Sequence, residues 1–233
     1  LLLGLALLAF VPPTRVRLLA EWPWCSALGY ERGDATRIIA STLLGVVVGG
    51  LAFAFLYGNL RFAQRGVVPN PVVMQMNAET PAIDVTRLAR RLALPVALAV
   101  ALLIALAASS GWLRVLEFLH RTPFGVTDPV FGRDLAYYVF TVPVIAGVLG
   151  ILTGLGVLAL LACGALYTLR GDVIVYQKNL TVEPSARLHL ALLLAFLFVL
   201  TALRVYFVRL PAVLSSTTGS LVGASFADLH GTV

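Results

Sequence analysis

"YYVFTVPVIAGVLGILTGLGVLALLACGALYTL", residues 137–169, carries no charged side chain. As an α-helix rising 1.5 Å per residue it would extend roughly 50 Å, against the ~30 Å hydrocarbon core of a bilayer. It must therefore tilt or begin in the headgroup layer. Backbone N–H and C=O groups find no partner in lipid, so only helices and closed barrels cross it. The alternation of a barrel strand is missing from this run, which leaves a helix.

The rest of the chain repeats the pattern. Ile38 to Leu60 is uncharged and ends at Arg61, Leu92 to Ser110 follows Arg87, Arg90 and Arg91, and Leu188 to Phe207 holds one charge, Arg204. The opening "LLLGLALLAFV" is too short to span and has no basic leader before it, as a signal peptide would. It reads as the tail of a first helix, and the closing "FADLHGTV" completes no element. A fragment cut at both ends is expected. The expectation is all-α: one polytopic transmembrane helix bundle over 1–233, with spans at about 1–11, 38–60, 92–110, 137–169 and 188–207.

Composition agrees. Hydrophobic residues make up 60%, charged residues 12%, and mean hydropathy is +0.95, whereas soluble domains carry about 25% charge. The net charge of +6 raises nucleic acid as a partner. The arginines form no patch or stripe; they sit in small groups between apolar runs, as membrane topology places them. The bilayer is the expected partner and nucleic acid is not. Cys25 and Cys163 show no disulfide or metal spacing, and Cys163 reads as a small hydrophobe.

Five spans put residues 11–37, 111–136 and the C-terminal tail on one side of the membrane, and 61–91 and 170–187 on the other. Lysine and arginine totals nearly balance. Density beside helix ends, at Arg61, Arg65, Arg87, Arg90, Arg91, Arg170, Lys178 and Arg187, favours the second side as cytoplasmic. In "WLRVLEFLHR", residues 112–121, Arg114, Glu117, His120 and Arg121 recur at helical spacing opposite an apolar face. This predicts a short interfacial helix, with Glu117 and Arg121 able to pair at i,i+4; the alternative is a further turn of the third span. Trp22, Trp24 and Trp112 fit as interface anchors.

"DPVFGRDLAYYVF", residues 128–140, precedes the longest span. Asp128 with Pro129 reads as a helix start, Gly132 interrupts, and Asp134 can cap a second start. Tyr137, Tyr138 and Phe140 suit the headgroup layer, with Phe131 in the same motif and Pro143 near the start of the span. The segment is expected to work as a structural motif that turns the chain back into the membrane. Paired carboxylates also suit acid–base chemistry, but no nucleophile or second base is placed beside them, so capping is preferred.

The same residues resemble a known family. "FGVTDPVFGRDLAYYVFTVP", residues 124–143, is similar to the most recognisable motif of uncharacterised protein family 0182, large bacterial membrane proteins with an N-terminal multi-helix region. "EWPWCSALGY" from Glu21, "ARLHLALLLAF" from Ala186 and "GASFADLHGTV" from Gly223 resemble other segments of that family in the same order. "VRLPAVLSS", 208–216, departs from its usual tyrosine- and acid-containing segment. The resemblance implies a bacterial cytoplasmic membrane and a large extracytoplasmic region beyond this chain; it brings no activity or cofactor.

Other constellations are sparse. His120, His189 and His230 are not expected to converge, and Asp228 with His230 is too few ligands for a metal. Arg204 lies five residues before Arg209 and can snorkel to the interface. Gly45 with Gly49, and Gly150 with Gly154, form small-xxx-small patterns suited to helix packing. No phosphate loop, dinucleotide fingerprint or hydrolase elbow occurs. The leading expectation is a membrane anchor or structural domain, joined to other membrane subunits or to its own further region. A transporter or channel component and an interfacial enzyme are the alternatives; cofactors are left open.

Overall fold

The computed structural model describes residues 31–65, 73–74, 83–176, 179–212, 217–218 and 221–222. The expected span at 1–11, Trp22, Trp24, Cys25 and the Asp228–His230 pair lie outside them. The chain is an all-α bundle. Helix α1 (Glu31–Ala63) is followed by α2 (Val85–Ser109), the short α3 (Trp112–Leu119), α4 (Val142–Arg170), α5 (Pro184–Arg204) and one final turn, α6 (Leu210–Ala212). Short antiparallel pairs join some of them: β1 (Val73–Met74) with β2 (Ile83–Asp84), β3 (Val173–Tyr176) with β4 (Asn179–Val182), and β5 (Thr217–Thr218) with β6 (Leu221–Val222).

Among the described residues four helices are long and apolar enough to cross a membrane: Ala35–Ala63, Arg87–Ser109, Tyr137–Arg170 and Pro184–Ala212. Their surface inverts the soluble pattern, with Val46, Leu51, Leu161 and Phe198 among the exposed large apolar residues. Helix α2 starts before its apolar run because Arg87, Arg90 and Arg91 are good helix formers. Pro95 lies within it.

The core is built from small residues where helices approach. Ala93, Ala97 and Ala101 of α2, spaced by four, are buried with Ala52 and Leu56 of α1 and with Ala159 and Cys163 of α4. In lipid, helix association depends on such close contact more than on apolar burial. Gly45 and Gly49 lie on this α1–α2 contact: a Cβ at Gly49 would meet the Ala105 Cβ at 2.6 Å. Gly150 and Gly154 face open space instead, and the close glycine of α4 is Gly156, against Phe196 and Leu197 of α5.

Two π-helical turns mark one end of the bundle. Tyr137–Thr141 leads into α4, and Val205–Arg209 follows α5. Such widened turns are uncommon and cluster at functional positions. At the other end α4 stops at Gly171, in the left-handed region with φ 78°, where glycine is free of the Cβ penalty.

Candidate functional site

Polar chemistry collects at the two ends of the bundle. At the end with the π-helical turns, residues 126–135 fold back on themselves. Leu135 N–H donates to the Val126 carbonyl at 3.0 Å, Asp128 N–H donates to the Arg133 carbonyl at 2.9 Å, and Thr127 pairs with Asp134. The reversal is closed by Gly132, whose N–H donates to the Asp128 carbonyl and whose φ of 63° suits glycine.

Asp128 sits inside this reversal, 5% exposed. Its carboxylate accepts the backbone N–H groups of Val130 and Phe131 at 2.8 Å and of Arg133 at 3.2 Å, and the Tyr138 hydroxyl at 2.5 Å. The geometry is that of a cap, but it closes a tight turn over Pro129–Phe131, not the helix start expected at Pro129. With Gly132 following in the left-handed region, the chain cannot propagate a helix there. Burial pushes the Asp128 carboxyl up; the donors from Tyr138, Phe131, Arg133 and Val130 outweigh it and hold the group down at about 2.

Asp134 stands one residue before the helical turn that opens the span. Its carboxylate accepts Ala136 N–H at 2.7 Å, in N-cap geometry, and Phe124 and Gly125 N–H at 3.1 and 2.9 Å. These donors, Ala136 first, lower its carboxyl below the ordinary value. Phe124 meets Phe140 edge-on at 5.8 Å, and the Arg133 guanidinium lies 4.6 Å over the Tyr137 ring.

The π-helical turn after α5, with α6, closes this region. Tyr206, Phe207, Leu210 and Pro211 line a crevice with Phe131, Arg133, Tyr137 and Tyr138, but it holds only about 60 Å³. Small-molecule sites run to about 300–1,000 Å³, so this is a packed joint. Trp112 is half-buried at the start of α3, Pro143 lies in the first turn of α4, and Arg204 is exposed at the end of α5. Arg121 does not reach Glu117. Beyond the helix end at His120 its guanidinium stacks 4.5 Å over Phe118 and donates to the Phe118 carbonyl.

At the opposite end three helices meet through polar side chains. His189 of α5, 8% exposed, has Nδ1 2.9 Å from the Tyr167 hydroxyl of α4 and Nε2 3.0 Å from Asn59 Oδ1 of α1. Phe62 meets the imidazole edge-on at 4.7 Å. Arg170, buried, donates to the Ala63 and Arg65 carbonyls at 2.5 and 2.8 Å and pairs with Asp172 at 3.0 Å. A cation on the Ala63 carbonyl, the last of α1, and on the Arg65 carbonyl just beyond it complements that helix end. Sequence reading placed His189 at a helix start and gave Asn59, Tyr167 and Arg170 no common role. The available signal was that all of them lie at the same end of their spans.

No group of three or more His, Cys, Asp or Glu side chains is placed to hold a metal among the described residues. Cys163 is fully buried in the core.

The model of the uncharacterised protein family UPF0182 matches residues 1–233. Similar proteins include the UPF0182 proteins of Trichlorobacter lovleyi (29% identical, covering 96% of this chain and 26% of the relative), Cupriavidus necator (31%, 96% and 25%) and Mycobacterium tuberculosis (30%, 98% and 23%). The chain thus spans about a quarter of the length of these relatives. No solved structure matches it.

Proposed function

Because the chain belongs to the uncharacterised protein family UPF0182, whose name carries no activity, we propose from its own geometry that it is a membrane anchor or structural domain. It would sit in the bacterial cytoplasmic membrane and hold the 124–136 segment as a rigid platform for the remainder of the longer protein or for neighbouring membrane subunits. The supporting observation is the use made of Asp128 and Asp134. Seven donors, four on Asp128 and three on Asp134, six of them backbone N–H groups, occupy the two carboxylates. Carboxylates engaged in this way orient a backbone and are poorly suited to exchanging protons with a substrate.

The test is co-purification and native electrophoresis of the full-length protein with Asp128→Ala, Asp128→Asn and their Asp134 counterparts. The anchor reading expects assembly to fail in the order Ala, then Asn. Stable, correctly assembled Asn variants that have lost the cellular phenotype would overturn it.

A transporter or channel component is the second reading, favoured by the Asn59–His189–Tyr167 cluster. Ionisable groups within membrane spans often mark transport pathways. That reading expects His189→Gln to assemble normally and lose the phenotype.

A further inference from the structure

Between α1 and α5, at the end of the bundle that carries the 171–183 connection, lies an open groove of about 480 Å³. Its size falls in the range of small-molecule sites, about 300–1,000 Å³. It opens on the flank of the bundle, since its wall residues Phe62, Leu188 and Leu192 are 48%, 63% and 60% exposed.

The lining changes character along its length. Toward the middle of the spans it is apolar, with Ala54, Phe55 and Leu192, and at Gly58 a Cβ would meet nothing within 4 Å. Toward the bundle end it holds Ser185 and the hydrogen-bonded Asn59–His189 pair. The Arg65 guanidinium stands over the Phe62 ring, 5.7 Å from its centroid. Arg65 itself lies just past the end of α1 at Ala63, and its N–H donates to the Phe62 carbonyl at 3.0 Å.

The charge at this end is positive. The end of α1, the end of α4 and the start of α5 carry Arg61, Arg65, Arg170 and Arg187 against Asp172 and Glu183, and Asp172 is occupied by Arg170. An apolar channel in an exposed wall, with the Ser185 hydroxyl in its lining and the Arg65 guanidinium over its Phe62 wall, matches the shape of one anionic lipid. Basic pockets between spans take anionic headgroups for the same reason. A partner helix would complement the apolar half and leave Arg65 without a counter-charge.

We infer that this groove binds one anionic phospholipid, an acyl chain lying along the Gly58–Leu192 side and the phosphate at the end marked by Arg65 and Ser185. The site is independent of the anchor role proposed above.

The purified protein in a neutral detergent is melted with phosphatidylglycerol or with phosphatidylcholine of the same acyl composition, and its lipid adducts are read by native mass spectrometry. Phosphatidylglycerol should raise Tm more than phosphatidylcholine and persist as a single adduct. Gly58→Leu should melt as wild type without lipid and lose both effects. Arg65→Gln should bind phosphatidylglycerol about fivefold more weakly and leave phosphatidylcholine unchanged, the loss of one interfacial cation. Equal responses to the two lipids, or an Arg65→Gln protein that keeps the wild-type preference, would overturn the proposal even if Gly58→Leu failed to fold. So would a co-purifying protein that Gly58→Leu releases while no lipid preference is seen, because that identifies a helix as the occupant.

Discussion

The Tyr138 hydroxyl donates to the Asp128 carboxylate at 2.5 Å, tying the first turn of the longest span to the reversal ten residues before it. The two elements are therefore expected to loosen together. Asp128→Ala removes the acceptor for three backbone N–H groups and for Tyr138, and should lower Tm most. Asp128→Asn keeps Oδ1 for Val130 and Phe131 but presents an amide to the Arg133 N–H, and should fall between. Tyr138→Phe should be milder than Asp128→Ala. Limited proteolysis across 124–136 reads the same order locally.

Acid should act through the same carboxylate. Asp128 titrates at about 2 when folded, against an ordinary 3.8, so the unfolded chain takes up its proton first. The stability it contributes is present in full above pH 3.8 and is lost as pH falls toward 2. Asp134 is shifted in the same direction. Between pH 5 and pH 2 the wild-type protein should lose more Tm than Asp128→Asn, which has no carboxyl to protonate; parallel losses would remove Asp128 as the cause.

Uncharged runs made the described spans legible, because length and apolarity alone decide what lipid accepts. The family motif was legible too, as local residues in a local pattern. What a pair of carboxylates does over ten residues was only half visible: Asp134 caps the helical turn before the span, but Asp128 closes a turn, since Gly132 takes a left-handed conformation that sequence spacing does not announce. The polar cluster at the opposite end of the bundle was not legible. Asn59 and His189 are 130 residues apart, and Arg170 reaches carbonyls more than 100 residues away. Those contacts depend on which helix lies beside which, and uniform apolar faces of Leu, Ala and Val encode that weakly.

Arg170 should be the most sensitive residue at that end. It is buried with Asp172, and removing one partner of a buried ion pair costs about 3–5 kcal/mol. Arg170→Gln also strips the Ala63 and Arg65 carbonyls of their donor. Asp172→Asn in the same chain should recover part of the lost stability in a double-mutant cycle. Strict additivity of the two changes would show that the pair is not coupled.

His189 should matter less for stability than its three-helix position suggests. Interhelical hydrogen bonds in membrane proteins average about 0.6 kcal/mol, so His189→Leu, which removes two, should cost on the order of 1 kcal/mol. A much larger loss in thermal melts would show that Tyr167 and Asn59 are left unsatisfied with no alternative partner.

The glycine pairs separate packing within this chain from packing against something else. At Gly49 a new Cβ would lie 2.6 Å from the Ala105 Cβ and 3.4 Å from the Ala101 carbonyl, so α1 and α2 must part. Overpacking of this kind costs about 1–3 kcal/mol, and Gly49→Leu should lower the Tm of the isolated chain. Gly154 has open space where a side chain would go, so Gly154→Leu should melt as wild type or slightly higher, since leucine is the better helix former. If Gly154 instead lies on a contact with a further span or with another subunit, Gly154→Leu will leave the isolated chain stable and weaken the assembly. Native electrophoresis of the full-length Gly154→Leu variant decides between these outcomes. An assembly that runs as wild type removes Gly154 from any interface, and the packing role then rests with Gly45 and Gly49.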